Sequence, residues 1–153
     1  MIQRILNLII IFSLVLLTSC GYTVDKSINN FYISSVDINT RNRDILNLKK
    51  YLLDNQNLEA KVIVTVNLQL ESEQNIKEKA KTGKILSYNL IFNSLIKTNI
   101  NNITVTKEFS VSDSYDVGSN HSTTIYNEKK LKEILLNKLA EDIKIFLKSK
   151  ITT

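Results

Sequence analysis

Cysteine and histidine are almost missing from this chain. Cys20 is the single cysteine among 153 residues, so no internal disulfide can staple the fold. His121 is the single histidine, and no second histidine or cysteine stands by to complete a metal site. No G-x-S-x-G, Walker loop or dinucleotide fingerprint occurs, which removes the usual hydrolase, nucleotide and hydride-transfer signatures. There is no block of consecutive basic residues of the kind that binds nucleic acid. No apolar run reaches the ~20 residues of a spanning helix. Proline is absent while asparagine, isoleucine and lysine abound, the bias of an AT-rich genome rather than a functional signal. These absences together predict a binding or structural protein and not an enzyme, with no catalytic residues, no metal and no nucleic-acid partner.

What is present begins at the N-terminus. Arg4 supplies a positive n-region, and Ile5 to Leu17, broken only by Asn7 and Ser13, supplies an apolar h-region. Leu17-Thr18-Ser19-Cys20 then matches the bacterial lipobox. In that chemistry the thiol takes a diacylglycerol, the leader is cut, and the new N-terminus is acylated. The expected organisation is therefore a signal peptide at 1–19, a lipidated tether at 20–30 and one domain at 31–153. Cys20 is the expected lipidation site and its covalent diacylglycerol and N-acyl lipid the sole attached group. Several acyl chains, at ~0.8 kcal/mol per buried CH₂, hold a protein stably on a bilayer. Loss of Arg4 with the leader lowers the net charge from +5 to +4. That excess permits an anionic partner without requiring one.

Along the mature chain, Phe31 to Ile38 is rich in β-branched and aromatic residues and predicts a strand. Arg41 to Asn55 changes to helical spacing, with Ile45, Leu48 and Leu52 on one stripe and Leu46 and Leu53 on its flanks. Ala60 to Glu71 alternates: Val62, Val64, Val66, Leu68 and Leu70 against Lys61, Thr65, Asn67, Gln69 and Glu71, with Ile63 the exception. Ser72 to Lys84 is expected to be a charged loop with a turn at Thr82-Gly83-Lys84. A second long strand places Leu86, Tyr88, Leu90, Phe92 and Ile96 opposite Ser87, Asn89, Asn93 and Lys97. After a turn at 99–102, Ile103, Val105, Phe109 and Val111 alternate with polar residues, predicting a hairpin. Ser112 to Tyr126 is expected to be a polar loop. The last helix carries a core stripe of Leu131, Leu135, Leu139, Ile143 and Phe146, widened by Ile134, Leu136 and Leu147. The order β-α-β-β-β-α predicts an α+β two-layer sandwich. Both helices would cover one face of a mixed four-stranded sheet, and the first two strands would run parallel across a right-handed crossover.

Few residues invite a chemical role. His121 is expected to be an exposed loop residue, and Glu71 and Glu73 a solvated strand end. Two features could carry binding. One is the lysine series Lys77, Lys79, Lys81 and Lys84, point charges able to meet phosphate or simply a solvated loop offset by neighbouring glutamates. The other is the outer face of the sheet, expected to be covered with Thr, Ser, Asn and Gln, which suits a wet interface as well as an ordinary solvent face.

The lipobox, the Cys20-Gly21-Tyr22 start and the element order together resemble the LptE (RlpB) family of lipopolysaccharide-assembly lipoproteins. The stretch Gly83-Lys84-Ile85-Leu86-Ser87-Tyr88-Asn89-Leu90 resembles that family's third strand after its short turn. Ser112-Asp113-Ser114-Tyr115, followed by Glu128, resembles its strand end and helix start. The resemblance implies an outer-membrane lipoprotein, lipid-anchored on the periplasmic side. It would form a heterodimer with the LptD-like β-barrel, plug it and assist its assembly and the delivery of lipopolysaccharide to the outer leaflet. The polar face would then look into a barrel lumen, which is polar in such proteins, and the four lysines would be candidate lipopolysaccharide contacts. Gly21, in place of an aspartate associated with inner-membrane retention, fits the outer membrane. The alternative is an auxiliary lipoprotein of another envelope lipid-transport system, which should show an apolar groove instead.

Overall fold

Each helix begins where an asparagine side chain closes its first turn. Asn42 Oδ1 accepts from the Ile45 amide at 2.8 Å, and Asn120 Oδ1 accepts from the Thr123 amide at 2.8 Å, satisfying donors that the helix itself cannot. The computed structural model describes residues 31–39, 42–54, 56, 58–100 and 103–151. Its elements are β1 (Phe31–Ile38), α1 (Arg43–Leu53), β2 (Val62–Lys79), β3 (Ile85–Ile100), β4 (Ile103–Asp116) and α2 (His121–Ile151). The leader, Cys20 and the tether lie outside the described residues.

The sheet order is β1-β2-β3-β4. β1 runs parallel to β2, from Phe31 opposite Val62 to Ile38 opposite Leu68. The other pairs are antiparallel hairpins. Alternation puts Val64, Val66, Leu68 and Leu70 of β2 and Leu90, Phe92 and Ile96 of β3 on one face. These are buried together with Ile45, Leu48 and Leu52 of α1 and Leu135, Leu136, Leu139, Ile143 and Leu147 of α2. The architecture is the expected two-layer α+β sandwich, with both helices on that face. Backbone-directed lysines tie α1 to the sheet and to α2. Lys49 Nζ donates to the Val36 carbonyl at 2.7 Å. Lys144 Nζ donates to the Tyr51 and Asp54 carbonyls at 2.7 and 3.0 Å, so a cation of α2 caps the C-terminal end of α1.

Several expectations need correction. The segment expected as a loop at Ser72–Lys84 is mostly strand, and β2 runs on to Lys79. Its polarity has a physical origin: β1 ends at Ile38, opposite Leu68, every side chain from Glu71 to Lys79 is exposed, and no burial enforces an apolar face. Backbone pairing to β3 holds it instead. The turn itself is tight. Gly83 N–H donates to the Ala80 carbonyl at 2.9 Å, and Ala80 N–H to the Lys84 carbonyl at 2.8 Å. Gly83 takes φ +82°, the left-handed position that a three-residue hairpin loop assigns to glycine. The expected loop at Ser112–Tyr126 divides into the end of β4 and the start of α2, joined by 117–120. Gly118 is required there, because a Cβ would lie 2.5 Å from the Thr123 Cβ. Leu86 and Ile134, expected in the core, are 38% and 54% exposed; Leu86 lies beside the hairpin turn, and Ile134 faces away from the sheet.

Candidate interaction face

The face of the sheet away from the helices is built by the alternate positions of three long strands. β2 contributes Thr65, Asn67, Gln69, Glu71 and Glu73. Opposite them β3 contributes Asn89, Asn93 and Lys97, and β4 contributes Thr106, Glu108, Ser110, Ser112 and Ser114. Sequence reasoning reached this polar character but missed Ile91 and Leu95. Both stand on the same face of β3, the central neighbour, and are partly buried by the rows on either side. The apolar stripe was hidden because β3 is apolar on both sides along much of its length, as a strand with two neighbours tends to be.

Side chains on this face bond across strands. Ser110 Oγ donates to Asn93 Oδ1 at 2.7 Å, and Lys77 Nζ reaches over β3 to donate to Ser114 Oγ at 2.7 Å. A concavity of about 380 Å³ is lined by Gln69, Glu71, Asn93, Leu95, Glu108 and Ser110, with Ser94 and Phe109 completing it. Most of its lining residues are polar, with Leu95 and Phe109 adding apolar surface. A second concavity on the same face is lined by Asn39, Asn67, Gln69, Leu95, Lys97 and Thr106.

The four lysines do not share one loop. Lys77 and Lys79 belong to the last residues of β2, while Lys81 and Lys84 flank the turn. All lie toward one end of the molecule, and Lys77 is held by Ser114. Glu71 and Glu73 stand within β2 rather than at its end, facing out past the last residue of β1. His121 is the first residue of α2, not part of a loop, and is exposed. Among the described residues no group of His, Cys, Asp or Glu is arranged to hold a metal ion, and no helix is long and apolar enough to cross a membrane.

The electrostatics concentrate where α2 meets the other elements. Lys132 Nζ lies 2.9 Å from Glu128 Oε1 and 3.7 Å from Asp44 Oδ2. Burial works against its charge, but the bond to Glu128 and the charges of Asp44 and Glu128 outweigh that and raise its pKa. Tyr115 is pushed up to about 12 by burial first, then by the Glu128 carboxylate and by Tyr88. Burial lowers the pKa of Lys144 against the pull of Asp54 and Glu141.

No family model matches the chain, and no curated protein does. Solved structures do. Rare lipoprotein B from Shewanella oneidensis superposes with a TM-score of 0.59, over 76% of this chain and 95% of that one, at 12% identity. The fold is that of rare lipoprotein B. Lipoprotein B from Nitrosomonas europaea shares it at a TM-score of 0.58 and 10% identity, over 87% and 94% of the two chains. A minor lipoprotein from Acinetobacter baumannii does so at 0.52 and 15%, over 80% and 95%. Nearly the full length of each is matched, over three quarters or more of this chain.

Proposed function

We propose that this chain is a non-enzymatic outer-membrane lipoprotein, anchored through Cys20 on the periplasmic side. In this reading it plugs a lipopolysaccharide-translocating β-barrel, assists its assembly and helps pass lipopolysaccharide to the outer leaflet. The observation that carries it is the match to nearly the full length of the rare lipoprotein B fold, in a chain that opens with a lipobox. The polar face supports it too. Uncharged amides and hydroxyls on long strands present donors and acceptors that a polar lumen can meet directly or through water. The concavities on this face are lined largely by polar side chains, which fits a lumen better than the apolar groove expected of a lipid-carrying accessory protein.

The test is a mild-detergent pull-down of the C-terminally tagged protein with mass spectrometry of what accompanies it. An outer-membrane β-barrel recovered in one-to-one ratio is the expected result. Recovery as a free monomer, or with inner-membrane transporter subunits, overturns the plug and promotes the accessory role.

A further inference from the structure

β1 covers only part of the edge of β2 that faces away from β3. Its pairing ends with Ile38 opposite Leu68. From Glu71 to Lys79 that edge has no neighbouring strand among the described residues, and an open edge is a template for a further strand. Its charges are ordered. On the polar face of the sheet, alternate positions read Glu71, Glu73, Asn75, Lys77 and Lys79: two acids, an amide, two bases. Charges in any order keep an edge soluble, but this order is self-complementary. Laid antiparallel on a second copy with Asn75 opposite Asn75, it sets Glu71 against Lys79 and Glu73 against Lys77, once on each side of a two-fold axis. Laid parallel in register, it sets like charges opposite each other, which destabilises. The other open edges lack this order. The only charge of β1 is Asp37, and β4 carries Glu108, Asp113 and Asp116 against Lys107.

The groups concerned are available. Glu71, Glu73 and Lys79 are exposed and make no ion pair among the described residues. Lys77 donates to Ser114 Oγ at 2.7 Å, and a carboxylate is a stronger acceptor than that hydroxyl. On the other face of the same segment Ile76 is 46% exposed, the one apolar side chain between Glu71 and Lys79. In the antiparallel pairing it stands opposite Gln74 and diagonal to Ile76 of the second copy, close enough for contact. The space also suffices. Lys79 of the second copy, opposite Glu71, stops three residues short of the Leu68 row where β1 ends. At ~3.3 Å per residue that leaves about 10 Å for the Gly83 turn.

We propose that two copies of this chain pair edge to edge through Glu71–Lys79 of β2, antiparallel about Asn75, and join their sheets into one. The dimer is a state of the free protein, given up by a copy that enters a one-to-one barrel complex, so it does not rest on the proposed function. Glu71→Lys with Glu73→Lys makes the polar side of this edge basic throughout, and Lys77→Glu with Lys79→Glu makes it acidic throughout. All four sites are exposed, and an unchanged denaturation midpoint shows that each variant is folded. The full-length proteins, in mild detergent and without a barrel, are followed by analytical ultracentrifugation. The expected result is a wild-type dimer, dissociation about tenfold or more easier for each variant alone, and return of the dimer when the two variants are mixed. Carbodiimide treatment of mixed heavy- and light-isotope wild-type protein should link Glu73 of one copy to Lys77 of the other. A wild type that stays monomeric up to ~1 mM, variants that dimerise as well as the wild type, or a mixture that stays monomeric each overturns the pairing. A barrel recovered one-to-one with a wild type that never dimerises overturns the pairing alone and leaves the proposed function standing.

Discussion

Tyr115 stacks on Tyr88 with ring centroids 5.7 Å apart and lies beside the Glu128 carboxylate, which together with burial pushes its pKa up to about 12. An unfolded tyrosine titrates near ~10. The folded state thus holds its phenolic proton over a range in which the unfolded chain releases it. The resulting stability is fully present below pH ~10 and is lost as pH rises toward 12. Lys132, also raised, acts with the same sign in the alkaline range, whereas the lowered Lys144 acts with the opposite one. Urea denaturation at stepwise pH should therefore show wild-type stability falling above pH ~10, and Tyr115→Phe should flatten part of that fall. An unchanged alkaline slope in the variant would remove Tyr115 as its source. None of this was legible from the residue types. Tyr115 was one of several polar-looking positions after Val111, and only the pairing of Tyr88 with Tyr115 across β3 and β4 reveals the cluster.

At the scale of elements, the readable parts were those where burial imposes a period. The alternation through Leu70 of β2 and the stripes of both helices are direct prints of the core. The unreadable parts were held by backbone pairing or by capping. β2 beyond Leu70 has no buried side, and the first turns of α2 consist of polar and β-branched residues that carry no apolar stripe. Asn120 was the signal available there, an asparagine accepting from Thr123 about three turns before the first buried leucine, Leu131. Asn42 plays the same part in α1. Asn42→Ala should lower stability by about 1 kcal/mol with the fold retained, read as a shift of the denaturation midpoint at constant slope. A loss no larger than scatter would show that tertiary contacts alone, including Lys49 and Lys144, hold α1 in place. The outer-face stripe of Ile91 and Leu95 was missed for a related reason: on β3 both sides are half apolar, so a two-residue period cannot show which one faces the helices.

For the molecule as a whole, the four candidate lysines gather at the hairpin end. Under the proposed function, replacing Lys77, Lys79, Lys81 and Lys84 together by glutamine should weaken lipopolysaccharide binding while leaving the denaturation midpoint nearly unchanged. Single replacements should have small effects, because each removes one screened surface charge. Unaltered binding by the fourfold variant, measured by titration calorimetry with purified lipopolysaccharide, would move the site elsewhere, with Lys97 and Lys107 next to be tested. The candidate lysines were legible as a cluster in sequence, but their division between strand and turn, and the bond from Lys77 to Ser114, were not.

The length of the β2–β3 hairpin sets a scale of its own. Its first strand has 18 residues, about 60 Å at ~3.3 Å each, whereas a bilayer measures about 40–45 Å with its headgroups. Under the proposed function, a molecule standing in the barrel with the end where β1 begins at the periplasmic surface is therefore taller than the membrane is thick. Its Gly83 turn then comes out beyond the opposite leaflet, a depth gauge whose tip samples chemistry on the side of the membrane that its own lipid never touches.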